Sequence, residues 1–211
     1  MAKTTTNGHA NDKAVYDESK IKTLSSLEHI RLRTGMYIGR LGSGSDLDDG
    51  IYILLKEIVD NSVDEFIMGH GNKVDITIDE DLVKVRDYGR GIPLGKIVEC
   101  VSVINTGAKY NDDVFQFSVG LNGVGTKAVN ALSSHFVVRA YRDGKYAEAV
   151  FSRGDLLSQK KGKAPDEPDG TYFEFLPDTE IFSEYEFNYE FIERRMWNYA
   201  CLNSGLNLIF N

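Results

Sequence analysis

Lys56-Glu57-Ile58-Val59-Asp60-Asn61-Ser62-Val63-Asp64-Glu65 puts Glu57 and Asn61 four residues apart, on one face of a helix. A carboxylate at that position can take a proton from water. A neutral amide beside it can offer its carbonyl oxygen to a hard cation such as magnesium. The pattern runs from about residue 50 to residue 68. At about 100° per residue, Ile51, Leu55, Ile58, Val59 and Phe66 gather on one side. Glu57, Asn61 and Asp64 lie within about 60° of one another on the other side. Any solvated helix shows a polar stripe opposite an apolar one, so position alone leaves both readings open.

The chain has 211 residues, of which 42% are hydrophobic, enough for a packed core. No apolar run approaches the roughly 18 residues that span a bilayer. Residues 1–14 are polar and carry no signal-peptide core, so a cytoplasmic protein is expected. Net charge is −8, which argues against this segment gripping nucleic acid by itself. The basic run Lys160-Lys161-Gly162-Lys163 reads as a solvated loop. Cys100 and Cys201 have no metal-ligand spacing and read as two core thiols in a reducing compartment.

Along the chain, residues 1–14 are expected to form a mobile tail. A short helix is expected over 25–33, then a loop over 41–49 in which Asp48 or Asp49 caps the long helix. Residues 74–79 and 82–87 form a hairpin across an acidic turn. Val83, Val85 and Asp87 share parity, which places Asp87 on an apolar face, where a carboxylate needs a partner. Either a ligand or the following glycine turn could supply it. Helices are expected over 96–104, 126–132 and 190–203, and strands over 136–141, 146–152, 170–176 and 206–210. Helices early and strands later give an α+β fold, with helices on one face of a sheet.

Gly120-Leu-Asn-Gly123-Val-Gly125 precedes the helix at 126. Glycines there let backbone N–H groups converge on a phosphate at a helix N-terminus. The order is not that of a Walker A loop, because Thr126 and Lys127 are transposed. Alone, the loop is equally a flexible connection. The ordered set is more specific. Arg33-Thr-Gly-Met-Tyr-Ile-Gly39, the Glu57–Glu65 helix, Asp87-Tyr-Gly-Arg-Gly-Ile-Pro93 and Val119-Gly-Leu-Asn-Gly-Val-Gly-Thr-Lys-Ala-Val-Asn-Ala-Leu132 follow one another. With these four motifs the chain resembles the GHKL ATPase superfamily, and within it the ATPase region of the B subunits of bacterial type IIA topoisomerases. The likeness runs from about Tyr16 to the end.

The resemblance implies a two-layer α/β sandwich with a mixed, largely antiparallel sheet, binding ATP with Mg2+. Glu57 would be the general base and Asn61 the magnesium ligand. Asp87 would take the adenine amino group, assisted by Thr171 through water. Arg90, Gly91, Ile92 and Pro93 would border the adenine, with Asp64 in the same site and Arg142 at its mouth. Gly107, Lys109, Tyr110 and the loop of Gly120, Leu121, Asn122, Gly123, Val124 and Gly125 would cover the phosphates. An N-terminal arm, residues 15–24, would carry Tyr16 and Ile21 to a second copy of the B subunit. Residues 15–211 would form one ATPase domain. A transducer domain, whose lysine meets the terminal phosphate, and a DNA-cleavage domain would follow in the family, and the chain stops before them at Asn211. The isolated chain is therefore expected to hydrolyse ATP slowly. Hydrolysis would drive dimer gate closure and DNA strand passage, with the A subunit and DNA as partners of the whole protein rather than of this segment, and no membrane. Asn105-Thr-Gly-Ala-Lys109 and Gln116-Phe-Ser-Val-Gly-Leu-Asn122 look more like topoisomerase IV than gyrase. The alternatives are a gyrase B subunit, a histidine kinase with His29 as phosphoacceptor, or a noncatalytic nucleotide-binding adaptor.

Overall fold

The computed structural model describes residues 18–21, 23–106 and 123–211. After a short 3-10 turn, Glu18–Lys20, the chain forms α1 (Ser26–Leu32), α2 (Gly35–Ile38) and α3 (Gly50–Ile67). The hairpin β1 (Lys73–Asp79) and β2 (Leu82–Asp87) follows, then α4 (Ile97–Ser102) and α5 (Gly125–Ala131). Next come β3 (Ser133–Arg142), β4 (Lys145–Ser152), β5 (Asp155–Lys163), β6 (Gly170–Pro177), α6 (Tyr189–Leu202) and β7 (Asn207–Phe210). The mobile tail expected over 1–14 lies outside the described residues. No helix of the described residues is long and apolar enough to cross a membrane.

The strands make one seven-stranded sheet in the order β5-β4-β3-β6-β2-β1-β7. Every pairing is antiparallel except β1 with β7, which is the mixed, largely antiparallel sheet expected from the sequence. One face is apolar and alternates with period two. Val83, Val85, Phe136, Val138, Phe151, Phe173 and Phe175 are all buried on it. The register aligns them in rows, Val85 opposite Phe173 and Phe173 opposite Val138. Helices α3, α4 and α5 pack on this face, giving the α+β layering.

Helix α3 has the strongest reason to sit there. Ile51, Leu54, Leu55, Ile58, Val59 and Val63 are at most 1% exposed, and each such burial contributes about 1.5–3 kcal/mol. Its opposite stripe is only partly solvated: Asp60 and Asp64 are buried, while Glu57 and Asn61 are half-buried. Helix α1 begins as expected, with a full capping box between Ser25 and Glu28. It is tied to the far end of the sheet where Arg31 Nη2 donates to the buried Asp178 at 2.7 Å.

Two sequence expectations need correction, and a third holds in position only. Asp49 occupies the N-cap position of α3 but makes no side-chain cap. Its carboxylate instead accepts from Arg40 Nε, Gly44 N and Asp46 N at 2.6, 2.9 and 3.1 Å, because the preceding loop folds over it. Lys160–Lys163 are not a loop but the end of β5, an edge strand paired with β4 along its length. Almost every residue of β5 is exposed, so neither face imposes the alternation by which strands are read, and its lysines suit an unpaired edge. Cys201 is exposed and Cys100 only partly buried. Helix α6 buries only Ile192 and Met196, which leaves Cys201 outside the core.

Candidate nucleotide site

Two clusters of the candidate residues are built by different devices. At the first, α3 and α5 meet. A Cβ added at Gly125 would lie 1.9 Å from Glu57 Oε2 and 2.8 Å from its carboxyl carbon. The first residue of α5 must therefore be glycine for the carboxylate to occupy its place. Asn61 Nδ2 donates to the Glu57 carbonyl at 2.7 Å, which turns the amide oxygen away from the helix backbone. Lys56 Nζ stands 3.8 Å from Glu57 Oε1. The buried Lys127, near the start of α5, donates to Thr106 O at 2.8 Å and so ties α5 to the stretch after α4.

At the second, the register of β2 against β6 stops at Arg86 opposite Tyr172, which sets Asp87 beside Thr171. Asp87 is 4% exposed. Its Oδ1 accepts from Gly89 N at 2.9 Å and from Thr171 N at 3.1 Å. Burial pushes its carboxyl up to about 6, against the pull of those two backbone donors, and the nearby Glu65 charge adds to the rise. Gly170, at φ +138°, passes so close that a Cβ would lie 2.2 Å from Asp87 O.

The turn after β2 is locked to α3. Arg90 gives Glu65 a forked pair, Nε to Oε2 and Nη2 to Oε1, both at 3.0 Å, and the Arg90 amide adds a third bond at 3.0 Å. Ile92 packs against the core and Pro93 is exposed. Arg142 Nη1 donates to Gly91 O at 3.3 Å, joining the end of β3 to the same turn.

Glu57, Asn61, Asp64, Asp87, Arg90, Gly91, Ile92, Thr171, Gly123, Val124, Gly125 and Arg142 thus lie on α3, the β2 turn, the head of α5 and the facing ends of β3 and β6. Ile21 is 68% exposed and remote from these elements in sequence. Tyr16, Gly107, Lys109, Tyr110, Gly120, Leu121 and Asn122 lie outside the described residues. Glu65 is a site neighbour that the sequence candidates omit, although its place one helical turn beyond Asn61 puts it on the same side of α3. His29, which a histidine kinase reading requires, has Nδ1 2.8 Å from Tyr37 Oη in an edge-on ring contact.

Residues 46–181 match the family of histidine kinase-, DNA gyrase B-, and HSP90-like ATPases. The chain is 68% identical over 196 residues to the B subunit of DNA topoisomerase 4 from Borreliella burgdorferi, covering 93% of this chain and 33% of that protein. It is 39% identical over 204 residues to the DNA gyrase B subunit of Thermotoga maritima, covering 92% of this chain and 31% of the relative. Among solved structures, the 43K ATPase domain of Thermus thermophilus gyrase B, in complex with an aminocoumarin, superposes with a TM-score of 0.74 at 33% identity. That match covers 89% of this chain and 49% of the other. The chain spans about a third of the length of these curated relatives.

Proposed function

The chain belongs to the family of histidine kinase-, DNA gyrase B-, and HSP90-like ATPases, and we propose that it is the ATP-binding and hydrolysing part of a type IIA topoisomerase B subunit of the topoisomerase IV kind. The 68% identity to a topoisomerase 4 B subunit, against 39% to a gyrase B subunit, supports that branch. The observation that carries the catalytic part is the contact between Glu57 and Gly125. A carboxylate on α3 lies directly against Gly125, the last residue of the glycine motif that would hold phosphates.

On this reading Asp87 receives the adenine. Its Oδ1 already accepts two backbone N–H groups, so Oδ2 accepts from the exocyclic amino group, which stabilises the ionised acid in its buried place. The Arg90–Glu65 fork holds the turn that borders the base. Glu57 accepts a proton from water as that water attacks the terminal phosphorus in line, and ADP departs. Magnesium fits the donor set. Among the described residues no cluster of three or more His, Cys, Asp or Glu could hold a metal alone, and an amide oxygen from Asn61 is the sparing protein ligand this cation takes when phosphates and water supply the rest. Bound there, it would neutralise charge on the phosphates.

The wider role is proposed with it. ATP binding would join two copies of the subunit through the arm bearing Tyr16 and Ile21, and hydrolysis would drive DNA strand passage together with the A subunit in the cytoplasm. Replacement of Glu57 by Gln tests the core of the proposal. ATP turnover should fall at least about a hundredfold, the usual lower range for a general base, with affinity for a nonhydrolysable analogue retained. Unchanged turnover would remove Glu57 from the chemistry.

A further inference from the structure

A buried acid next to the site joins α3 to α6. Asp60 is 2% exposed. Lys56 Nζ donates to its Oδ2 at 2.5 Å, and the Tyr199 hydroxyl of α6 donates to its Oδ1. Burial first, then the Asp60 charge, push the Tyr199 phenol well above its usual range, so it remains a donor. The same Lys56 ammonium lies 3.8 Å from Glu57 Oε1.

That last proximity is not what a bare helix gives. Residues i and i+1 point about 100° apart and do not face each other. Asp60 stands at i+4 from Lys56 and i+3 from Glu57, so an ammonium held on Asp60 is swung back across the turn to Glu57. Asp60 in turn is fixed from outside the helix by Tyr199. Glu57 then has Lys56 beside one oxygen and Gly125 against the other. A glutamate has three rotatable bonds, and a base works only within about 0.5 Å of its productive place.

We propose that Lys56, Asp60 and Tyr199 are positioning residues for Glu57, through which α6 sets the orientation of the general base. The proposal rests on the ATPase reading, because it assigns these residues a role only through Glu57. Loss of the network should slow the chemical step and leave nucleotide binding alone, since none of the three lies at the adenine end.

The test compares the chain with its Tyr199→Phe, Lys56→Met and Lys56→Arg variants. Hydrolysis is measured in single turnovers with protein in excess over labelled ATP and magnesium. Affinity for a nonhydrolysable analogue is measured separately by calorimetry. Tyr199→Phe removes one oxygen atom from a helix that keeps its ring, so the fold is retained. Both Tyr199→Phe and Lys56→Met should hydrolyse about tenfold more slowly, as a displaced catalytic group does, with affinity within about twofold and Lys56→Arg close to wild type. Rates within about twofold of wild type in both variants, with binding intact, would overturn the proposal while leaving the ATPase reading untouched. A parallel loss of rate and affinity would also overturn it, by making the cluster a structural pin. Failure of the wild-type chain to bind the analogue would instead strike the ATPase reading, and this proposal with it.

Discussion

Replacing Asp87 by Asn should make the ligand-free protein more stable at pH 8 and a poorer binder of nucleotide. The acid is raised from 3.8 to about 6 by burial. That is about two pKa units at about 1.4 kcal/mol each, so ionised Asp87 costs the fold about 3 kcal/mol once it is fully deprotonated. The folded pKa lies above the unfolded one, so the native state binds the extra proton. The stabilising contribution is complete below about pH 3.8 and is lost as pH rises through about 6. Asparagine has no charge to bury. Its side-chain oxygen still accepts from Gly89 N and Thr171 N, but its amide nitrogen adds a donor that costs about 1–2 kcal/mol if unpaired. A net gain of about 1–2 kcal/mol is expected at pH 8, shrinking to nothing or reversing near pH 4. Urea unfolding of both proteins at pH 8, 6 and 4, without nucleotide, measures it. In calorimetry the variant should bind an ATP analogue about 1–3 kcal/mol more weakly, because a donor has replaced an acceptor facing the adenine amino group. A variant less stable than wild type at pH 8, or a stability gap that does not change with pH, would refute the reasoning.

The two close glycine approaches give further tests. Gly125→Ala would ordinarily help a helix by about 1 kcal/mol. Here the methyl group would fall 1.9 Å from Glu57 Oε2, so ATP hydrolysis should drop by at least about tenfold, and a rate equal to wild type would show that the carboxylate is not held there. Gly170→Ala meets Asp87 O at 2.2 Å at φ +138°. It should lower stability by about 2 kcal/mol or more, read as a shift in unfolding midpoint, and no shift would mean that β6 can yield at this point.

Much of the site is legible in the sequence because its parts obey short-range rules. Period-two parity along β2 is enough to put Asp87 on the buried face, and Asp87 is indeed buried among the strand residues that line it. Helical spacing puts Glu57, Asn61 and Asp64 together on α3. Whether that stripe faces water is not legible, because the answer depends on α5, which lies more than sixty residues later and brings Gly125 against Glu57. Strand β5 is illegible for the opposite reason. It has no buried face, so nothing in its composition marks it, and only its pairing with β4 makes it a strand. The Lys56–Asp60–Tyr199 cluster is hidden by distance, since Tyr199 is 139 residues from Asp60 along the chain. The Glu65–Arg90 fork, 25 residues apart, joins two motifs that carry no mark of each other in the sequence.

The most direct test of the central claim is calorimetric titration of the wild-type chain with a nonhydrolysable ATP analogue in the presence of magnesium. The account predicts saturable binding of one nucleotide per chain, lost or weakened in Asp87→Asn and retained in Glu57→Gln. Absence of binding by the wild-type chain, or binding indifferent to Asp87, would contradict it.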